Sequence, residues 1–170
     1  MKRLKVVKYD SLMTKENNYD THKEWTMSRA FKPRNLEWVY AGGIQPEAAK
    51  PAELVSCPDD IALFTDKDIV SPIVDQIQAK YKLVYLSECR TIHPFAYQWM
   101  PQFEDKFDYI FTHDSYLLAR SPKYVLNVLG TSWLTDIEAK LYEKKKMFSH
   151  IVSKQNWARG HKLRHIVAKA

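Results

Sequence analysis

The feature that most constrains the fold is a regular alternation of short apolar runs with segments of helical spacing. Six runs of six residues each are rich in β-branched and aromatic side chains, and they cover residues 4–9, 36–41, 60–65, 81–86, 107–112 and 124–129. Helices are predicted between these runs at 66–80, 94–100 and 114–119, and after the last run at 136–145. Such alternation favours a mainly parallel sheet covered on both faces. We therefore predict a Rossmann-like α/β fold.

The first of these helices has the clearest pattern. Residues 66–80 place Ile69, Ile73 and Ile77 on one helical face, and Thr65 or Asp66 is the candidate N-cap.

In open α/β sheets ligands bind outside the carboxyl ends of the strands. The loops that follow the predicted strands are therefore where functional residues are expected.

The positive charge of the chain is concentrated at one end. Residues 140–170 carry nine Lys and Arg side chains against one Glu, a net +8, so the first 139 residues sum to −2 within the overall +6. A local excess of this kind indicates a confined anion site rather than a basic surface that wraps a polymer. A solvated basic helix is the simpler alternative.

The cysteines and the hydropathy exclude several classes of protein. Cys57 and Cys89 are the two cysteines, and their spacing fits neither a disulfide framework nor a zinc site. No apolar run approaches the roughly 20 residues needed to cross a bilayer. The sequence thus predicts a soluble, cytoplasmic protein without a transmembrane segment or a bound metal.

The loop after the run at 81–86 combines an acid, a thiol, a cation and an imidazole. Glu88 is a candidate general base, because a partly desolvated carboxylate at a strand end can accept a proton from a substrate hydroxyl. The alternatives are an ion pair with Arg90 or a capping role near Pro94. Cys89 with His93 could form a nucleophilic pair, but no other part of the chain resembles a cysteine hydrolase, and a small core residue is the commoner role.

A second pair of polar residues follows the run at 107–112. His113 and Asp114 could act as a metal pair or a proton relay, yet Asp114 is also well suited to cap the next helix. We predict the capping role for Asp114 and leave the role of His113 open.

The C-terminal segment predicts an anion site. A strand at 147–153 with Ser149 and Ser153 leads through Asn156 and Gly160 into a helix that contains Arg164. Hydroxyl groups, free N–H groups at a helix N-terminus and one Arg suit a phosphate without a metal. Because neither a Walker A loop nor a carboxylate pair for magnesium is present, the residues fit a nucleotide-sugar diphosphate better than a nucleoside triphosphate.

Three segments carry a resemblance to a known family: FDYIFTHDSYLL at 107–118, GTSW at 130–133 and KMFSHIVSKQNWARGHKLR at 146–164. Together they are similar to the α-1,3-fucosyltransferases of glycosyltransferase family 10, especially the short viral and bacterial relatives. The resemblance covers residues 80–170. Upstream of residue 80 only the general order of strands is similar.

The resemblance implies an inverting glycosyltransferase with the GT-B fold, whose N-terminal half binds the acceptor and whose C-terminal half binds the donor. It implies Glu88 as the general base and Arg164, helped by Ser153 and Asn156, as the ligand of the donor diphosphate. His93 and His113 are acceptor-side candidates. No cofactor or metal is implied, and the expected partners are a nucleotide sugar, with a GDP-linked donor as one expectation, and a glycan acceptor.

Residues 1–145 would then be the acceptor-side domain, and residues 146–170 the first strand–turn–helix unit of a truncated donor-binding domain. The family's Glu-Asn-Ser and Tyr-Val-Thr-Glu-Lys segments are absent from this sequence. The donor sugar is therefore open, and the isolated chain is expected to be inactive as a transferase.

Two other classes of function fit the same residues. A non-catalytic α/β binding module could use the basic C-terminal helix, with Trp157 near Arg159, to bind an anion or a nucleic acid. The sequence has no nucleic-acid-binding signature, so no nucleic acid partner is expected. A structural α/β domain that has lost a catalytic role is the third possibility.

Overall fold

Residues 4–126 contain a single parallel sheet of six strands. The computed structural model describes residues 4–11, 36–45, 48, 52–53, 57–127, 143, 145–147, 150 and 152–169. The strands are β1 (Leu4–Tyr9), β2 (Leu36–Gly42), β3 (Cys57–Thr65), β4 (Ala79–Tyr85), β5 (Tyr109–Thr112) and β6 (Tyr124–Leu126). The helices are α1 (Pro94–Phe103), α2 (Ser115–Leu118) and α3 (Arg159–Val167).

The strand order is β2-β1-β3-β4-β5-β6, and every neighbouring pair is parallel. The chain runs from β1 outward to β2, returns across β1 to β3, and then adds each later strand on the other side. The connections that leave β1 and β3 therefore diverge, and in doubly wound sheets this switch point is where ligands bind, at the carboxyl ends of the strands. The predicted Rossmann-like α/β class is confirmed.

The core of the sheet depends on aromatic side chains. Phe64 is fully buried; its ring stacks on that of Tyr9 at 5.1 Å between centroids and meets the ring of Phe107 edge-on at 5.9 Å. Val7 and Val84 are also fully buried on the strands that flank β3. Strands buried in this way are nearly continuous apolar runs, which is why they are readable from the sequence.

The predicted continuous helix at 66–80 is wrong. Two short 3-10 helices, Asp66–Val70 and Pro72–Asp75, occupy its first part, and its last two residues begin β4. Pro72 explains the break, because its ring disfavours the helical conformation at the preceding residue, and Ser71 is extended with ψ 134°. The apolar pattern is still used, since Ile69 and Ile77 are buried.

The chain divides into two compact units, residues 1–131 and 132–170, and we describe each by itself. Among the described residues of 147–153, Met147, His150, Val152 and Ser153 belong to no strand, so the strand predicted there is wrong for these residues. The helix that should follow it is present as α3. The predicted helix at 136–145 falls almost wholly outside the described residues, and the domain boundary after residue 145 stays a prediction.

Candidate functional site

Glu88 lies just beyond the end of β4, at the carboxyl edge of the sheet, as predicted. Its backbone N–H donates to Asp66 Oδ1 at 3.1 Å, and its carbonyl oxygen accepts a hydrogen bond from the Tyr97 hydroxyl at 2.5 Å. The residue is partly buried. Both polar backbone groups of Glu88 are thus held by side chains from other elements.

Asp66, directly after β3, holds the start of the same loop. Its Oδ1 also accepts the N–H of Ser87 at 2.9 Å, and its Oδ2 accepts the Ser87 hydroxyl. The sequence suggested Asp66 or Thr65 as a helix N-cap, and Thr65 is at that position, but its hydroxyl donates to the Tyr9 carbonyl at 3.2 Å instead of capping. Asp66 has φ 42°, a left-handed conformation that costs about 1 kcal/mol or more for a residue with a side chain.

Asp68 binds the chain segments that follow β1 and β2, at the switch point of the sheet. Its carboxylate accepts the N–H of Ser11 at 2.6 Å, the Ser11 hydroxyl at 2.5 Å and the N–H of Ile44 at 2.8 Å, so it joins the chain after β1 and β2 to the chain after β3. Asp68 is fully buried. Burial raises the pKa of its carboxyl above 3.8, although the hydrogen bonds from Ser11 and Ile44 act in the opposite direction.

The close approach of these loops requires a glycine. A Cβ on Gly43 would lie 2.4 Å from the Ser11 Cα and 2.3 Å from its Oγ, which no side chain can tolerate. Gly43 therefore lets the loop after β2 pack against the residue that Asp68 binds.

Arg90 does not pair with Glu88, which corrects one alternative from the sequence. Its guanidinium forms a bidentate ion pair with Asp114, with Nε–Oδ2 at 2.5 Å and Nη2–Oδ1 at 2.8 Å. It also lies over the rings of Tyr97 at 5.0 Å and Tyr116 at 5.3 Å. This pair ties the loop after β4 to the chain after β5.

Asp114 is the N-cap of α2, as predicted. Its Oδ1 accepts the N–H of Leu117 at 2.9 Å. The hydrogen bonds from Arg90, and then that from the Leu117 amide, lower the pKa of its carboxyl below 3.8. The same carboxylate therefore serves the helix and the ion pair.

Asp114→Ala should lower the free energy of unfolding by about 1–2 kcal/mol at neutral pH, because it removes both the cap and the partner of Arg90. Since the folded pKa is below 3.8, the contribution is fully present above that value and is lost as the pH falls through the folded pKa. Urea unfolding of both proteins from pH 7 to pH 2.5 should show the difference between them shrinking with acid. A constant difference would contradict this role.

His93 and His113 lie on the two loops that the Arg90–Asp114 pair joins, so both are at the same edge of the sheet as Glu88. His93 is the N-cap residue of α1, but its side chain does not cap the helix. In the part of the chain that the structure describes, His93 Nε2 and His113 Nδ1 are buried and have no hydrogen-bond partner. Their acceptor-side role stays a prediction.

The two cysteines are both free thiols and lie in different environments. Cys57 is buried in the core, and Cys89, expected as a small core residue, is exposed instead.

No group of three His, Cys, Asp or Glu side chains within the described residues could hold a metal ion. Among these same residues, no helix is both long and apolar enough to cross a bilayer.

The C-terminal unit contains the predicted phosphate ligands. Ser153, Asn156 and Arg164 are all exposed. Arg164 extends back along α3 toward its N-terminus, where its Nε donates to the Gly160 carbonyl at 3.4 Å. Ser149 lies outside the described residues. Arg164 and Glu88 belong to different units of the chain.

Histidines fasten α3 to the chain before it. His165 Nε2 lies 2.9 Å from the Gln155 carbonyl, and His150 Nε2 lies 3.1 Å from the Arg164 carbonyl. At the start of the helix the Ala158 N–H donates to His161 Nδ1 at 3.5 Å. The helix buries none of its residues, and its apolar side chains are exposed, namely Leu163, Ile166 and Val167.

The sequence did not predict which residues hold Glu88, and Asp66 was considered only as a helix N-cap. Asp66 and Asp68 stand in a Thr-Asp-Lys-Asp segment directly after a buried run, and acids at that place in a parallel sheet were a usable signal. Tyr97 lies in a helix that the sequence did predict, but no local pattern reveals its contact with Glu88.

Comparison with known proteins adds no relative, since no family model, curated protein or solved structure matches this chain.

Proposed function

We propose that this chain is the acceptor-side part of an inverting glycosyltransferase that moves a sugar from a nucleotide-sugar donor to a glycan hydroxyl. Membership of the GT-B class and of the fucosyltransferase-like family belongs to the same proposal. Glu88 acts as the general base and Arg164 as the ligand of the donor diphosphate. His93 and His113 contribute to the acceptor side.

The observation that carries the proposal is the anchored position of Glu88 at the carboxyl edge. Its N–H is bound by Asp66 and its carbonyl by Tyr97, so the main chain that bears the carboxylate is fixed before any substrate arrives. A general base is effective only when it is held within hydrogen-bonding reach of the proton that it removes. The location also agrees with the edge where α/β sheets bind their ligands.

The proposed reaction is a direct displacement. The acceptor hydroxyl gives its proton to the Glu88 carboxylate while its oxygen attacks the anomeric carbon of the donor. The bond from that carbon to the diphosphate oxygen breaks, and the nucleoside diphosphate leaves with the electron pair. Attack from the face opposite the leaving group inverts the anomeric configuration, and Arg164 stabilises the charge on the departing diphosphate.

The geometry of α3 supports the role of Arg164. The side chain runs back toward the first turn, near the Gly160 carbonyl, and the N–H groups at a helix start attract anions. Ser153 and Asn156 are exposed in the segment that leads into this helix and are free to turn toward a phosphate. The proposal includes no metal or cofactor.

A titration of the isotopically labelled chain with nucleoside diphosphates tests the donor half of the proposal. Adding GDP or UDP should shift the amide signals of residues 153–164 in a saturable way. Increasing the salt from 50 to 200 mM should weaken binding only several-fold, because one diphosphate site releases few ions. A binder of nucleic acid, which neutralises many phosphates, would lose about 10³-fold or more over the same range. No response at residues 153–164 to any nucleoside diphosphate at millimolar concentration would overturn the assignment of Ser153, Asn156 and Arg164 as diphosphate ligands.

Arg164→Ala should weaken nucleoside diphosphate binding about 30-fold, or about 2 kcal/mol, since it removes a charge-assisted contact. Arg164→Lys should recover only part of the affinity, because an ammonium group keeps the charge but loses the planar fork. Lys169→Ala, at the other end of the same segment, is the matched control and should leave the affinity unchanged. Equal losses for Arg164→Ala and Lys169→Ala would indicate a general charge effect instead of a site.

A further inference from the structure

Side chains from other elements hold the backbone of Ser87 and Glu88, whereas Leu86, just before them, still donates its N–H to the Phe111 carbonyl of β5. Asp66 accepts three hydrogen bonds from this loop: the Ser87 N–H, the Ser87 hydroxyl and the Glu88 N–H. Tyr97 donates the fourth, to the Glu88 carbonyl. Because the N–H and the carbonyl of Glu88 are both held, its carboxylate moves mainly by rotation about the side-chain bonds.

The backbone of Asp66 indicates that this arrangement is maintained at a cost. Among the described residues, Asp66 is the one residue other than glycine with a positive φ. A left-handed backbone is disfavoured for a residue with a side chain, and such strain persists only where surrounding contacts enforce it. Here the contacts are the bonds that turn the Asp66 carboxylate toward Ser87 and Glu88.

Asp66 also comes from a different part of the fold than the loop that it holds. It follows β3, whereas Glu88 follows β4, and these two strands are neighbours in the sheet. The carboxyl ends of adjacent parallel strands meet at one edge, so a short Asp side chain can span the gap between them. The contact therefore depends on the pairing of β3 with β4.

We propose that Asp66 is a positioning residue for Glu88: it fixes the main chain of the general base so that the carboxylate is presented to the acceptor hydroxyl. This inference rests on the proposed function, in which Glu88 removes the proton. A displacement of about 1 Å at a reacting group can lower a rate about 100-fold, so a residue of this kind contributes to turnover without touching the substrate.

The structural part of the proposal is tested without any activity. Asp66→Ala should increase hydrogen exchange at the Ser87 and Glu88 amides at least about tenfold, because their charge-assisted acceptor is gone. Asp66→Asn keeps one carbonyl oxygen as an acceptor and should give an intermediate increase. Unchanged exchange at both amides in Asp66→Ala would overturn the proposal.

Asp108→Ala is the matched control. Asp108 Oδ2 accepts the N–H of Lys82 at 2.8 Å and so holds the middle of β4 by the same kind of bond. Its removal should increase exchange at Lys82 and leave the Ser87 and Glu88 amides unchanged. If Asp108→Ala loosened the Glu88 amide as much as Asp66→Ala does, the effect would be general loosening of β4, and the assignment to Asp66 would be wrong.

The functional part needs a form of the protein that transfers sugar. Asp66→Ala should lower kcat about 30–100-fold and change the acceptor KM less than about threefold, and Asp66→Asn should recover part of the rate. In a Glu88→Gln background, Asp66→Ala should have no further effect, since it acts through Glu88. A full additional loss in the double mutant would overturn the positioning role. If Glu88→Gln by itself left turnover normal, the proposed function would fail while the amide measurements still stood.

Discussion

Glu88→Gln should lower the rate of sugar transfer about 10²–10⁴-fold, the range that general base catalysis contributes. Glutamine keeps the size of the side chain and can still contact the acceptor, but it does not accept the hydroxyl proton. Affinity for the nucleotide sugar should stay within about twofold of the parent, because the base acts on the acceptor. The measurement is steady-state transfer from a nucleotide sugar to a glycan acceptor, in a form of the protein that catalyses it.

Glu37→Gln is the control for Glu88→Gln. Glu37 is exposed on β2, near the amino end of the sheet and away from the edge that carries Glu88. The two substitutions change the charge equally, so a difference between them reports on position. Near-normal turnover by Glu88→Gln would show that Glu88 is not the base.

Asp68→Ala should lower the free energy of unfolding by about 3 kcal/mol, the largest stability effect that we expect at the carboxyl edge. The substitution removes the acceptor for two buried backbone N–H groups, those of Ser11 and Ile44, and each buried donor without a partner costs about 1–3 kcal/mol. The loops after β1 and β2 would lose their common attachment to the chain after β3. Urea unfolding at pH 7, followed by circular dichroism, measures the change.

Asp68→Asn separates the hydrogen bonds from the charge. An amide has one acceptor oxygen, so at least one of the three donors now bound by Asp68 would lose its partner, and an intermediate loss of stability is expected. The pH dependence should also change. Since the folded pKa is raised above 3.8, the stability linked to this group is fully present below 3.8 and is lost as the pH rises through the folded pKa. Asp68→Asn should abolish that dependence, and its persistence would show that another group causes it.

The strands could be predicted because a strand that is buried on both faces consists almost entirely of apolar residues. The run at 4–9 matches β1 residue for residue, and the runs at 60–65, 81–86 and 107–112 fall on three neighbouring parallel strands. The capping role of Asp114 was predictable for a similar reason, since its partner, Leu117, is only three residues away. Both depend on local sequence.

The helix at 66–80 could not be read correctly from periodicity alone. Ile69 and Ile77 have helical spacing and are buried as expected, but Pro72 prevents a continuous helix between them. The apolar pattern reports which side chains face the core. It does not report whether the backbone between them stays in one helix.

The sequence by itself therefore determined the fold class, the edge of the sheet at which Glu88 lies, and the cap of α2. Only the tertiary structure decided what holds that edge together. Asp66 meets Glu88 across 22 residues, Arg90 meets Asp114 across 24, and Asp68 meets Ser11 across 57. Contacts at such separations depend on which strands become neighbours and on the exact direction of short side chains. Local propensity and hydrophobic pattern contain neither, because both act over a few residues along the chain.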